Sequence, residues 1–220
     1  KAAKACNENA LCIECDITNN DEILKAFNSI IYNFGGLDIL VSNAGSAWEG
    51  DLKDLNENVF RKSMEVNLFS HQKIAQNSVK IFKSQDKFFS SKDRILGGQL
   101  LFNISKQAIN PGKGFGAYGV AKAALLALMK QYALEEGPSG IRSNGINADR
   151  IRSGLLNDSM IISRSVARGI SEKEYMSGNL LGSEVNPEDV SKGFVSLALM
   201  EKTTGALLTI DGGNVAAMVR

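Results

Sequence analysis

Short apolar runs with a period of two alternate along this chain with longer stretches in which apolar residues recur every three or four positions. That alternation constrains the fold more than any other feature. A strand followed by a helix and then another strand must cross over and lie parallel to the first. Five runs read as strands: residues 10–17, 37–42, 99–104, 141–148 and 206–210. The first of these places Leu11, Ile13 and Cys15 on one side.

The helical stretches carry their own punctuation. Asn19 and Asn20 offer a cap, Asp21 and Glu22 fill the first turn, and Ile23, Phe27, Ile30, Ile31 and Phe34 follow at helical spacing until Gly35-Gly36. A long helix is expected over 56–84, with Phe60, Met64, Leu68, Ile74, Val79 and Phe82 apolar, then a polar surface connection over 84–93. Another helix covers 117–135 and stops at Gly137-Pro138. Residues 153–181 read as irregular with short helical pieces. Asn186-Pro187-Glu188-Asp189 opens a last helix, which runs to about Met200. The expected fold is therefore α/β: one doubly wound, Rossmann-like parallel sheet in three αβα layers, a single domain over residues 1–220.

Charge and cysteine usage exclude several functions. Lys and Arg number 25 and Asp and Glu 24, a net charge of +1, so no field of one sign favours a nucleic-acid or membrane-surface partner. Apolar runs fall short of the ~18 residues that a membrane span needs. Cys6, Cys12 and Cys15 are an odd set, which suits a reducing, cytoplasmic compartment. Cys12 and Cys15 have redox-pair or zinc-pair spacing, but an odd separation in an extended run points them to opposite faces. With His71 the only histidine, no metal site is expected.

The sharpest chemical signal is Tyr118-Gly119-Val120-Ala121-Lys122. Tyr and Lys four apart share one helix face. An ammonium beside a phenol favours the phenolate, so the phenol is expected to titrate below its usual ~10 and to serve as an acid/base. Alone, the pair reads as a core aromatic beside a solvated lysine, since the spacing occurs often by chance. It is not alone. Asp16 closes the first run, Ser42-Asn43-Ala44-Gly45 closes the second, and Ser105 follows the third, thirteen residues before Tyr118. Ligands of parallel α/β sheets bind beyond such carboxyl ends.

Asn43-Ala44-Gly45, Asn67 in Glu65-Val66-Asn67-Leu68, Ser105, Tyr118 with Lys122, and Asp211-Gly212-Gly213 together resemble the short-chain dehydrogenase/reductase family along essentially the whole chain. Two stretches, 103–119 and 140–156, are most similar to the dehydrogenase half of bifunctional aldolase/short-chain dehydrogenases, in which a zinc-dependent aldolase domain precedes the reductase.

The resemblance implies an oxidoreductase that interconverts a small hydroxyl compound and its carbonyl, a sugar- or deoxysugar-derived aldehyde among the candidates, with NAD or NADP. It implies Tyr118 as proton donor or acceptor, Lys122 as the group that tunes the phenol and binds the nicotinamide ribose, and Ser105 as the residue that orients the substrate oxygen. Asn67 would hold a water linking Lys122 to solvent. Asn43, Ala44, Gly45 and Ile151 would line the cofactor, and Asp16 and Ile17 would sit at the adenine. Residues 150–183 would cover the substrate. The family also associates through its two long helices, so a homodimer or homotetramer is expected. The apolar run from Ala121 to Met129 would give the helix over 117–135 a partner-facing side.

Two departures stand out. No glycine precedes Gly35, so the strand, glycine-rich turn and helix that cradle a cofactor pyrophosphate are missing from this sequence. The expectation is that they lie in a preceding segment of a longer chain, with an aldolase domain a candidate further upstream. The alternative is a catalytically impaired relative that serves as a binding or oligomerisation domain. In addition, Ala148-Asp149 replaces the family's Pro-Gly after the sixth family strand. The basic residues Arg150, Arg152, Arg164 and Arg168 suit either a clamp for an acidic or phosphorylated substrate or a solvated face that pairs with Asp149 and Asp158. Trp48 suits either a cleft wall or plain packing, and His71 a helix-packing or subunit contact.

Overall fold

The computed structural model describes residues 9–85 and 97–214. Four parallel strands form the sheet in the order β1 (Ile39–Ser42), β2 (Gln99–Asn103), β3 (Arg142–Ala148) and β4 (Leu207–Ile210). Ser42 lies opposite Phe102, Phe102 opposite Gly145, and Ala148 opposite Ile210. All carboxyl ends therefore meet one edge of the molecule.

Helices α1 (Asn20–Phe34), α2 (Glu57–Met64), α3 (Ser70–Gln85), α4 (Gly116–Glu136), α5 (Asp158–Val166), α6 (Glu172–Met176) and α7 (Pro187–Leu199) make up the rest. The alternation of β2 shows why both faces are covered. Leu100 and Phe102 point into one core with Ala75, Val79 and Phe82 of α3 and Leu125 and Met129 of α4. Leu101 points the other way, into a core with Ile146 of β3 and Val190 and Leu197 of α7. Phe82 packs so tightly that a Cβ on Gly98 would overlap its ring. Among the described residues, no helix is long and apolar enough to cross a membrane.

Local capping behaves as the residues dictate. Asn19 accepts from the backbone N–H groups of Asp21 and Glu22, and Gly35, at φ 76, donates back to Ile31. Asn186 and Asp189 exchange reciprocal bonds of 3.0 Å at the start of α7, with Pro187 in the first turn.

Two expectations need correction. Residues 10–17 form no strand: Ile13, Cys15 and Ile17 are half-buried, Ile17 already lies in a turn, and no described residue pairs with the run to make a ladder. A strand is a paired object, and alternation alone does not supply the neighbour. The long helix over 56–84 is not regular either. A π turn, Glu65–Phe69, separates α2 from α3. Around it the inward face changes character, from Ser63, Asn67, Ser70 and His71 to Ala75, Val79 and Phe82. Cys6 and most of the 84–93 connection fall outside the described residues.

Candidate active site

A cavity of about 760 Å³ opens at the carboxyl ends of β1, β2 and β3. Asn43, Ala44 and Gly45 line it from the loop after β1. Ser105 follows β2 in extended backbone and caps a 3₁₀ turn, accepting from the Gln107 N–H at 3.2 Å. Tyr118 and Lys122 enter from the first turns of α4, and Ile151 from the loop after β3. Seven sequence candidates therefore share one cavity wall: Asn43, Ala44, Gly45, Ser105, Tyr118, Lys122 and Ile151.

Lys122 is buried and donates to the Asn103 carbonyl at 2.7 Å. Its nitrogen lies 5.7 Å from the Tyr118 ring centroid. Burial brings its pKa down to about 7. Asn103 also donates from its side chain to Asn43 at 2.7 Å, tying the ends of β1 and β2 together.

The expectation that Lys122 draws the Tyr118 phenol downward is not met. Burial is the first cause acting on Tyr118 and pushes its pKa up; a hydrogen bond with Ser105 opposes this, and the charge of Asp149 adds to it. Burial disfavours the charged form of both groups, so the two shifts run toward the neutral phenol and the neutral amine.

Asn67 lies beneath this wall, fully buried in the π turn. Its carboxamide accepts from Ser46 N at 3.1 Å and donates to Ser46 O at 2.8 Å and Ser63 O at 3.0 Å. In this arrangement it clasps the loop that carries Asn43 to Gly45. A Cβ on Gly45 would stand 3.0 Å from Asn67 Oδ1 and 3.9 Å from Lys122 Nζ, so any larger residue would press on the Asn67 carboxamide.

Asp16 and Ile17 do not line the cavity. Asp16 caps its own turn, accepting from the backbone and hydroxyl of Thr18 at 2.8 Å each, which lowers its pKa. Trp48 also lies outside the cavity wall and packs under Lys62.

Three neighbours complete the site, of which Phe115 had no signal in the sequence. His71 is buried in the helix packing, and Nδ1 meets Ser42 Oγ at 2.6 Å. Burial, then the Lys122 charge, holds its pKa down to about 3, and Nε2 has no hydrogen-bond partner among the described residues. Asp149 lines the cavity and is held by Asn214 and, at 3.5 Å, by Arg150. Phe115 meets Tyr118 edge-on, with ring centroids 6.4 Å apart.

A parallel sheet with helices on both faces and a polar cleft at its carboxyl edge defines a Rossmann-like α/β protein. The family model described as enoyl-(acyl carrier protein) reductase matches residues 1–214. The chain is 30% identical over 219 residues to an uncharacterized oxidoreductase, YuxG, of Bacillus subtilis; the match covers 96% of this chain and 30% of that protein. It is 29% identical over 209 residues to 4-formylbenzenesulfonate dehydrogenase of Comamonas testosteroni, covering 93% of this chain and 77% of the relative.

Among solved structures, a short-chain type dehydrogenase/reductase from Mycobacterium marinum aligns with a TM-score of 0.78 at 26% identity, over 93% of this chain and 75% of that one. A 3-ketoacyl-(acyl-carrier-protein) reductase from Brucella melitensis, complexed with NADH, aligns with a TM-score of 0.82 at 21% identity, over 96% and 81%. The chain belongs to the short-chain dehydrogenase/reductase family of oxidoreductases.

Proposed function

We propose that the protein interconverts a small hydroxyl compound and its carbonyl with NAD or NADP. The observation that carries this reading is the convergence of Ser105, Tyr118 and Lys122 on one cavity at the carboxyl ends of the strands. Two hydroxyls aimed at one place suit a single substrate oxygen: Ser105 would hold it and Tyr118 would exchange a proton with it. The cofactor, when bound, supplies or accepts the hydride. The tight approach at Gly45 and the buried ammonium of Lys122 fit a nicotinamide riboside. Asn43, Ala44 and Ile151 would line it, with Asp16 and Ile17 toward the adenine. Asn67 would act by fixing the loop that carries Asn43 to Gly45.

The upward-shifted phenol has a consequence for direction. At neutral pH Tyr118 holds its proton, which suits carbonyl reduction. Alcohol oxidation needs the phenolate and should rise toward alkaline pH.

Tyr118→Phe tests the reading. Turnover should fall by about two to four decades, the usual worth of general acid–base catalysis, while cofactor affinity changes little. Unchanged turnover would end the proposal. Failure of NAD and NADP to raise the melting temperature of the protein would favour a binding or oligomerisation domain instead.

Two finer points belong here. YuxG is a relative of which the chain covers only 30%, which agrees with a dehydrogenase half of a bifunctional aldolase/dehydrogenase. The mass of the natural gene product tests that. Assembly as a homodimer or homotetramer is supported by the outer face of α4, where Val120 and Leu134 are exposed and Ala123 and Ala127 lie between them. A monodisperse monomer at micromolar concentration would remove it.

A further inference from the structure

Away from Ser105, the wall of the same cavity becomes aromatic and cationic. The Arg164 guanidinium lies 4.1 Å from the centroid of Phe115, the ring that meets Tyr118 edge-on. Arg150 and Arg168 both stack on Tyr175, at 4.7 and 5.2 Å from its centroid. Tyr175 is buried, so both guanidinium groups lie beside a fixed ring.

The ion pairs around this wall are unequally shared. Arg164 is matched to Glu49, Arg152 to Asp158 and Glu184, and Arg150 to Asp149. Arg168 has no such match. Its NH1 donates to the Arg164 carbonyl at 3.1 Å, and no carboxylate among the described residues lies within ion-pair distance. Lys106 and Lys122 also line the cavity without a carboxylate partner among the described residues, but Lys106 adjoins Ser105 and Lys122 is buried beside Tyr118, both at the reacting end.

We infer that the substrate carries an oxyanion (a carboxylate, sulfonate or phosphate ester) on the end remote from its reacting carbon, and that Arg168 binds it. The inference rests on the proposed reaction for what happens at the other end of the molecule. A guanidinium held beside a ring can meet two oxygens side by side, a geometry that an ammonium does not offer. The rotamer cost of holding a long side chain is partly met before the ligand arrives. Ile151, Leu155 and Met160, half-buried on the cavity wall, provide apolar surface for the ligand's body between its two polar ends.

The test uses 4-carboxybenzaldehyde and its methyl ester as a matched pair, with NADH or NADPH and the full-length protein. Benzoate binding by calorimetry is the readout that needs no turnover. Wild type should prefer the carboxylate at least tenfold in kcat/KM. R168Q should lower that preference and weaken benzoate binding, each about tenfold, and R168K should restore less than half of the loss on a logarithmic scale. K106Q should change the preference less than R168Q does.

An equal rate on acid and ester, an unchanged preference and benzoate affinity in R168Q, or an equal effect from K106Q would overturn the inference. Reduction of both aldehydes without preference would sink the oxyanion site and leave the reaction standing. Benzoate binding that depends on Arg168, with neither aldehyde reduced, would do the reverse.

Discussion

The two flanks of the sheet are built differently. At β2 and β3 each strand has a neighbour on both sides and both faces are covered; Leu100, Leu101 and Phe102 are at most 1% exposed. On the side of residues 9–42, β1 has Ile39 and Val41 at 43% and 48% exposure, and α1 buries only Ile23 and Phe27 while Ile31 and Phe34 stay exposed. Both flanks have equally good capping signals. The difference teaches that caps decide where helices begin and end, whereas burial decides what they contribute.

The sharpest way to break this comparison is a matched pair of truncations. Phe82→Ala removes a ring between α3 and the sheet and should cost about 3–5 kcal/mol in denaturant unfolding. Ile31→Ala on α1 should stay within about 0.5 kcal/mol. Similar costs would mean that the thin flank is packed after all.

A second test uses the buried charge at the site. The folded pKa of Lys122, about 7, lies below its ordinary 10.5. Between those values the unfolded chain binds the extra proton, so raising the pH from 7 to 9 should stabilise the protein. Tyr118 does not interfere, because its shift is upward from 10. Lys122→Met should flatten this pH dependence and raise the melting temperature at pH 7, while cofactor binding weakens. A melting temperature that falls would show that the ammonium is stabilised by something besides Asn103.

The smallest effect compares the caps. Asn186→Ala should cost about 1 kcal/mol of global stability, because α7 covers one face of the core. Asn19→Ala removes the same kind of bond from α1 and should speed amide exchange in that helix without moving the global transition.

What the sequence made legible follows the same division. The helix boundaries at Asn19, Gly35, Asn186 and Pro187 depend on bonds within a few residues, and so did the strands whose neighbours are present. The run over 10–17 has the right alternation, but pairing depends on residues far away in the chain. Tyr118, Lys122 and Ser105 were found through their spacing. Lys122's effect on Tyr118 was misjudged because burial, a property of the packed state, outweighs a charge four residues away. The four arginines illustrate the same limit. Their composition left a clamp and a solvated face open, and only the positions of Glu49, Asp158 and Glu184 show which of them already have partners.

The π turn at Glu65–Phe69 makes one helical rod into two modules with different tasks. One residue more than a regular helix needs is accommodated there, and an α-helix turns about 100° per residue. Losing a single codon in this stretch would therefore twist Ser63 and Asn67 away from Ser46 while Ala75, Val79 and Phe82 kept their places against the sheet. A single-residue deletion here is thus expected to loosen the loop that carries Asn43 to Gly45 before it loosens the core.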